Sequence, residues 1–249
     1  MSKAQTKYAD IGEFPGWDKA GDFIKGVIKS NRFKIIGDIG GGRLPRVGLD
    51  FINQHGLTYN LFDIAANELA QAHDSYQKIE MDVACSDATF NSLDVRKDFD
   101  LIFSHMLLEH LTDPLQAHRN IFRMLRPGGM SLHMFPSRNN FPLFVNGFIP
   151  EAISHKLLKV VQPHRDTMGQ EGKFKAYYKL CGAPSEAHSR LYESIGFDVI
   201  KHTSYVGHDY YKRLPPLAAA ERSMRKLIIK AGLPLINATL LILKKPLAN

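Results

Sequence analysis

The chain reads as an α/β protein built on an open, mostly parallel sheet, and three observations predict it. Residues 34–45, KIIGDIGGGRLP, set a short β-branched run directly before three glycines, Gly40, Gly41 and Gly42. A buried parallel strand has that composition. A strand that stops in glycines before a helix is the usual nucleotide-binding turn at the carboxyl edge of such a sheet. Further strand-and-helix units follow as far as residue 137. The third observation is length: 249 residues make one domain, or one domain with an insertion.

Residues 1–16 are polar, carry Gly12, Pro15 and Gly16, and read as a loose arm. Asp18 to Asn31 fits an amphipathic helix, with Phe23, Ile24, Val27 and Ile28 recurring at three- and four-residue spacing. Leu44 to His55 reads as the first crossover helix, with Gly56 as its C-cap. Thr58 to Phe62 is the second strand and ends in Asp63. An acid there accepts hydrogen bonds from ribose hydroxyls; it serves equally well as N-cap for the segment that follows. Lys78 to Val83 is the third strand, with Asp82 at its end, and Phe99 to Ser104 the fourth. A helix from about Pro114 to Leu125 then leads through LRPGG to a fifth strand, MSLHMFP. Pro127 ends the helix and Gly128–Gly129 turn the chain.

From Ser137 the pattern changes. About 40 residues separate the fifth strand from the next helix, where ordinary connections are far shorter. Such a segment above the carboxyl edge suits a substrate lid, with Pro150 to Val161 as its helical part. It carries His155, His164, Arg165, Lys173, Lys175 and Lys179 among Phe174, Tyr177 and Tyr178. That mixture suits a saccharide or anionic acceptor; it equally suits aromatics packed inward with charges in water. Pro184 to Ile195 is the next helix, capped by Ser185. Phe197 to Tyr205 is the sixth strand, Leu217 to Ala231 a basic helix and Ile236 to Leu243 the seventh strand. The chain thus divides into an arm and helix (1–33), a core (34–137), a lid insertion (138–183) and a C-terminal part completing the sheet (184–249).

Composition narrows the classes. Cys85 and Cys181 lie far apart and make neither a disulfide framework nor a metal cluster. The N-terminus has no apolar core of the signal-peptide kind, and the longest apolar stretch near the end, Leu233 to Leu243, is too short to span a bilayer as a helix. A reducing, cytoplasmic setting is expected. Residues 1–135 hold 15 Lys+Arg and 17 Asp+Glu, while residues 136–249 hold 17 and 8. The basic half suits an anionic partner, a membrane surface or plain water. Arg222, Arg225, Lys226 and Lys230 stand beside Leu227, Ile228 and Ile229, which suits peripheral membrane contact or packing of the apolar side on the sheet.

The glycine turn lacks the third glycine of a dinucleotide fingerprint, since Pro45 stands there. Asp38-x-Gly40-x-Gly42 instead resembles motif I of the class I S-adenosylmethionine-dependent methyltransferases, with Leu44 in place of that family's third glycine. The strings FDLIFS, LLEHLTDP and LRPGG, followed by a strand, resemble the branch containing ubiquinone and other small-molecule methylating enzymes. The lid followed by YYKRLPPL also resembles bacterial methyltransferases of glycan assembly. The resemblance covers about residues 34–137. It implies a Rossmann-like, doubly wound, seven-stranded sheet whose last strand is antiparallel, with a helical lid. It implies S-adenosylmethionine as cofactor, held by Asp38, Gly40, Gly41, Gly42, Asp63, Ile64, Asp82, Val83 and Ser104. Asp82 is the expected adenine contact, with Asp87 in SDATF as the competitor.

Methyl transfer to a hydroxyl needs alignment and a base, and histidine is the usual base near neutral pH. His105, directly after the fourth strand, and His110, in the L-x-E-H string, are the candidates; His133, His155 and His164 are further histidines near that edge. No metal site is expected. The acceptor is expected to be a small molecule or saccharide. RNA or protein methylation, and a binding protein that has lost catalysis, are the alternatives.

Overall fold

The structure is a computed structural model that describes residues 7–137, 175–208 and 215–247. The strands are β1 (Tyr8–Asp10), β2 (Ile35–Ile39), β3 (Thr58–Asp63), β4 (Gln77–Glu80), β5 (Phe99–His105), β6 (Leu125–Pro136), β7 (Asp198–Val206) and β8 (Ala238–Lys244). They form one sheet in the order β1-β7-β8-β6-β5-β2-β3-β4. Every pairing is parallel except those of β8, which runs antiparallel to both β6 and β7. The expected seven-stranded sheet is therefore present, with one short strand added at its edge.

That added strand comes from the stretch read as a loose arm. The N–H of Ser204 on β7 donates to Lys7 O at 2.9 Å. Beyond it, Ile11 and Phe14 are buried, and the Phe14 ring lies 4.9 Å from that of Tyr205. Two apolar side chains within four residues anchor a segment whose polar composition suggested solvent.

Helices α1 (Ala20–Asn31), α2 (Leu49–His55), α3 (Ala66–Gln71), α4 (Asp87–Ser92), α5 (Pro114–Met124), α6 (Glu186–Ile195) and α7 (Pro215–Ala231) surround the sheet. Ile24 and Ile28 of α1 and Ile52 of α2 pack with Ile36, Leu101, Phe103, Leu132 and Met134 on one face. Phe90 of α4, Ile121 of α5 and Tyr192 of α6 pack with Ile39, Phe62, Ile102 and Phe135 on the other. Alternate residues of β5 thus serve opposite cores, as period-two geometry requires. The first crossover helix starts at Leu49, later than Leu44, after the turn through Pro45. Gly56 caps it with φ 55°, and Ser185 Oγ caps α6 by accepting the His188 N–H at 3.2 Å. The third strand ends at Glu80, short of Asp82. The expected lid, including Pro150 to Val161, Phe174, His155, His164, Arg165 and Lys173, lies mostly outside the described residues. No helix among the described residues is long and apolar enough to cross a membrane.

Candidate cofactor and acceptor site

The carboxyl ends of β2, β3 and β5 open into a hollow of about 690 Å³. Its floor is the glycine turn after β2. Gly40 has φ +75°, and a Cβ on Gly41 would stand 2.4 Å from Leu61 Cδ1 and 2.7 Å from Asp38 Oδ2. The turn therefore lies directly on the strands at Gly41, where a side chain would lift it, and Gly40 takes a left-handed conformation that favours glycine. Gly42 completes the floor. Leu44, which stands where the resembled family has its third glycine, is 65 % exposed and lines the hollow.

Asp63, at the end of β3, and Asp82, beyond β4, line one side with Ile64 and Val83. Asp63 Oδ1 accepts the Ala65 N–H at 2.9 Å, and Asp82 Oδ1 the Ala84 N–H at 2.8 Å. Both carboxylates are thereby oriented by their own turns. Burial lifts the Asp63 carboxyl above its ordinary range. Ala65 precedes α3, so Asp63 is not that helix's N-cap. Asn120 of α5 pins the loop after Asp82 by donating to Val83 O at 2.9 Å and Cys85 O at 2.8 Å. Asp87 opens α4 and accepts from Gln116 and Arg123, away from the hollow. Of the two acids, Asp82 lines the hollow and Asp87 does not.

Three expected cofactor or catalytic residues do not line the hollow. Asp38 is buried beneath the glycine turn, where Oδ2 accepts from Tyr59 Oη at 2.6 Å and Arg46 N at 3.3 Å. Burial pushes its carboxyl up to about 6. Asp38 braces the turn from behind. Ser104 is buried under α5 and is bonded to His133 Nδ1 at 2.7 Å. His105 points to the face covered by α1, where Nε2 donates to the Gly16 carbonyl and Nδ1 is buried without a partner. Strand alternation explains both: the loop residues Met106 and Leu107, one and two steps beyond β5, take the places beside the hollow. His133 is buried between Ser104 and Ser131 and its basicity is depressed well below the ordinary value by burial.

The second side is built from two stretches of the chain. It comprises His110, Leu111 and Thr112 from the β5–α5 loop, and Lys175 and Tyr177 from the segment before α6. The two pieces are laced together. Tyr177 N and Tyr178 N donate to Glu109 O at 2.7 and 3.0 Å, and Lys179 Nζ donates to Thr112 O at 2.6 Å. His110 Nδ1 lies 3.2 Å from Lys175 O. A carbonyl only accepts, so Nδ1 carries the proton and Nε2 is the basic nitrogen. Glu109 is buried, with Oε1 3.7 Å from His110 Nε2, and burial raises its carboxyl to about 7. Glu68 and Arg43, paired at 3.4 Å, also line the hollow. Nothing in the sequence distinguished them from surface charges. Among the described residues no cluster of histidine, cysteine or acid side chains is arranged to hold a metal.

Residues 38–132 match the family model described as "Methyltransferase domain". A search of curated proteins finds no match. Similar solved structures include a S-adenosylmethionine-dependent methyltransferase from Archaeoglobus fulgidus, at 15 % identity and TM-score 0.53, covering 90 % of this chain and 94 % of that one. Magnesium protoporphyrin IX methyltransferase from Synechocystis PCC 6803, solved with bound S-adenosylhomocysteine, aligns at 11 % identity and TM-score 0.53, over 92 % and 84 % of the two chains. The cyclase SpnF aligns at 14 % identity and TM-score 0.52, over 99 % and 89 %. At these identities the structures speak for the fold, and the sequence match covers the core of the site. Residues 38–132 thus match a methyltransferase domain, and the strand order and the glycine turn at the carboxyl edge give the chain the fold of the S-adenosylmethionine-dependent methyltransferases it aligns with.

Proposed function

We propose that the protein is a S-adenosylmethionine-dependent methyltransferase that methylates a hydroxyl of a small molecule or saccharide. The observation that carries the reading is the placement of Asp63 and Asp82 on one wall of a hollow whose floor is a glycine turn packed tightly on the strands. About 690 Å³ is ordinary for a small-molecule pocket. The fit is chemical as well. Asp63 suits a ribose diol and Asp82 an adenine amino group, while the glycine turn lets the amino-acid end of the cofactor approach the backbone closely. When bound, the cofactor supplies an activated methyl group on a sulfonium, whose leaving group is neutral.

The chain's own part is alignment and proton removal. The Met106–Thr112 loop and Lys175–Tyr177 frame the acceptor's space opposite the two acids. His110 Nε2 takes the hydroxyl proton, and the Lys175 carbonyl fixes the tautomer that allows it. Lys175 adds a cation, its Nζ 5.2 Å from the centre of the Tyr177 ring, which favours an acceptor carrying an anionic group. The Synechocystis relative is named for a small-molecule acceptor, which supports that size class.

Calorimetric titration with S-adenosylmethionine tests the reading. Wild-type protein binds with measurable heat, and Asp63→Ala weakens binding by about 1.5–3 kcal/mol, the worth of hydrogen bonds to a charged group. An affinity unmoved by the substitution would remove Asp63 from the site, and no binding by wild type would end the assignment.

A further inference from the structure

Helix α7 turns two faces to its surroundings, and the fold uses one. Ala218, Glu221, Arg225 and Ile228 are buried, and α7 packs on β1 and β7 through that side. Helical spacing gathers Ala220, Met224, Leu227 and Ala231 (i, i+4, i+7, i+11) into a second apolar stripe, and all four are exposed. Leu227 is 63 % and Met224 42 % exposed; Leu233, just past the helix, is 43 % exposed. Beside the stripe, Arg222, Lys226 and Lys230 form an exposed basic row at four-residue spacing. The helix contains one acid, Glu221, and Arg225 holds it inside at 2.6 Å. The outer face is therefore apolar and cationic, with no carboxylate of its own to offset it.

The helix also has a telling position. Arg225 Nη1 bonds Asp10 Oδ1 at 2.6 Å, at the end of β1, and Glu221 Oε1 accepts the His208 N–H at 3.1 Å, just past β7. Both strands run parallel to β5, because β8 is antiparallel to β6 and to β7. The middle of α7 is thus tied to the edge of the sheet that carries the hollow.

We propose that α7 docks the protein on an anionic lipid surface. Leu227 and Met224 enter the headgroup region, and Arg222, Lys226 and Lys230 meet lipid phosphates. Charge decides for an anionic bilayer over a neutral one: residues 136–249 hold 17 Lys+Arg against 8 Asp+Glu. Docking brings the carboxyl edge to the bilayer, so the hydroxyl acceptor is one presented at a lipid surface. This last step rests on the methyltransferase reading; the docking does not.

Flotation of the full chain with vesicles tests it, using phosphatidylcholine alone and phosphatidylcholine mixed with phosphatidylglycerol. Binding is expected on the mixed vesicles only, and to weaken with added salt. The double variant Lys226→Glu/Lys230→Glu is expected to lose at least about tenfold in affinity, and Leu227→Glu also to weaken binding. Cofactor titration on the same variants, with affinity unchanged, shows that they are folded. Equal binding to both vesicles, binding to neither, or an unaltered charge-reversed variant overturns the proposal. Salt-sensitive RNA binding lost in the same variants, without vesicle binding, overturns it in favour of nucleic acid. Wild type that binds cofactor but no vesicle rejects the docking alone; wild type that binds vesicles but no cofactor rejects the catalytic reading alone.

Discussion

Gly41 shows how one missing Cβ sets the site's shape. The space a side chain would occupy already holds Leu61 Cδ1 and Asp38 Oδ2, at 2.4 and 2.7 Å. Neither neighbour has room to retreat, since both are buried. Gly41→Ala is therefore expected to cost about 1–3 kcal/mol, the usual penalty of overpacking, and to lower the urea midpoint. A variant as stable as wild type would show that the turn is looser than drawn. Asp38 is legible in the sequence as the acid of motif I, yet its role here is indirect. It accepts from Tyr59 and Arg46 and never reaches the hollow. No sequence pattern announces that Tyr59, 21 residues on, will be its partner.

At the scale of elements, the buried ion cluster joins β1, β7 and α7. Arg225 reaches Glu221 and Asp10, and Nη2 donates to His208 O at 3.1 Å. Glu221 and Arg225 side chains are each 8 % exposed, so removing one leaves a charge in a dry place. Arg225→Leu is expected to cost about 3–5 kcal/mol, and Glu221→Leu/Arg225→Leu to recover much of it. Urea denaturation of the single and double variants checks this; equal losses in both would mean that the ion pair is not what the helix depends on. The helix read from the sequence as a basic amphipathic segment is there, but Arg225 belongs to its inner face. Its apolar residues divide between Ile228 inside and Leu227 outside. Periodicity located the helix; only the neighbour against which it packs decides which stripe is buried.

Across the whole molecule, two sets of buried groups pull stability in opposite directions with pH. Burial holds His118 and His202 down to about 4, and His133 well below its ordinary value. An unfolded chain binds protons at these histidines from about 6.5 downward while the native state does not, so they make stability fall on acidification. Asp38, raised to about 6, and Glu109, raised to about 7, do the reverse: the native state holds their protons longer, and stability falls as pH rises through their windows. His118→Leu is accordingly expected to make the acid loss between pH 6.5 and about 4 shallower, and Asp38→Asn to make the loss between about 6 and 3.8 steeper. Urea midpoints across that range read both slopes. Slopes that move the other way would mean that these groups are not buried as described.

Local chemistry alone determined a good deal. The β-branched run before three glycines and the acid after the second strand specify the carboxyl edge of the sheet and part of the lining of the hollow, whereas LRPGG, read as the turn that follows the helix, lies inside β6, and the helix ends at Met124, before Pro127. The first two are short-range features, in which neighbouring residues fix strand ends, caps and turns. Tertiary structure decided the rest, because strand parity and packing partners are set by distant residues. It turned Ser104 and His105 away from the hollow, left His110 on its wall and sent Asp38 beneath the floor. It also recruited Tyr8–Asp10 to the sheet and chose which stripe of the last helix faces water.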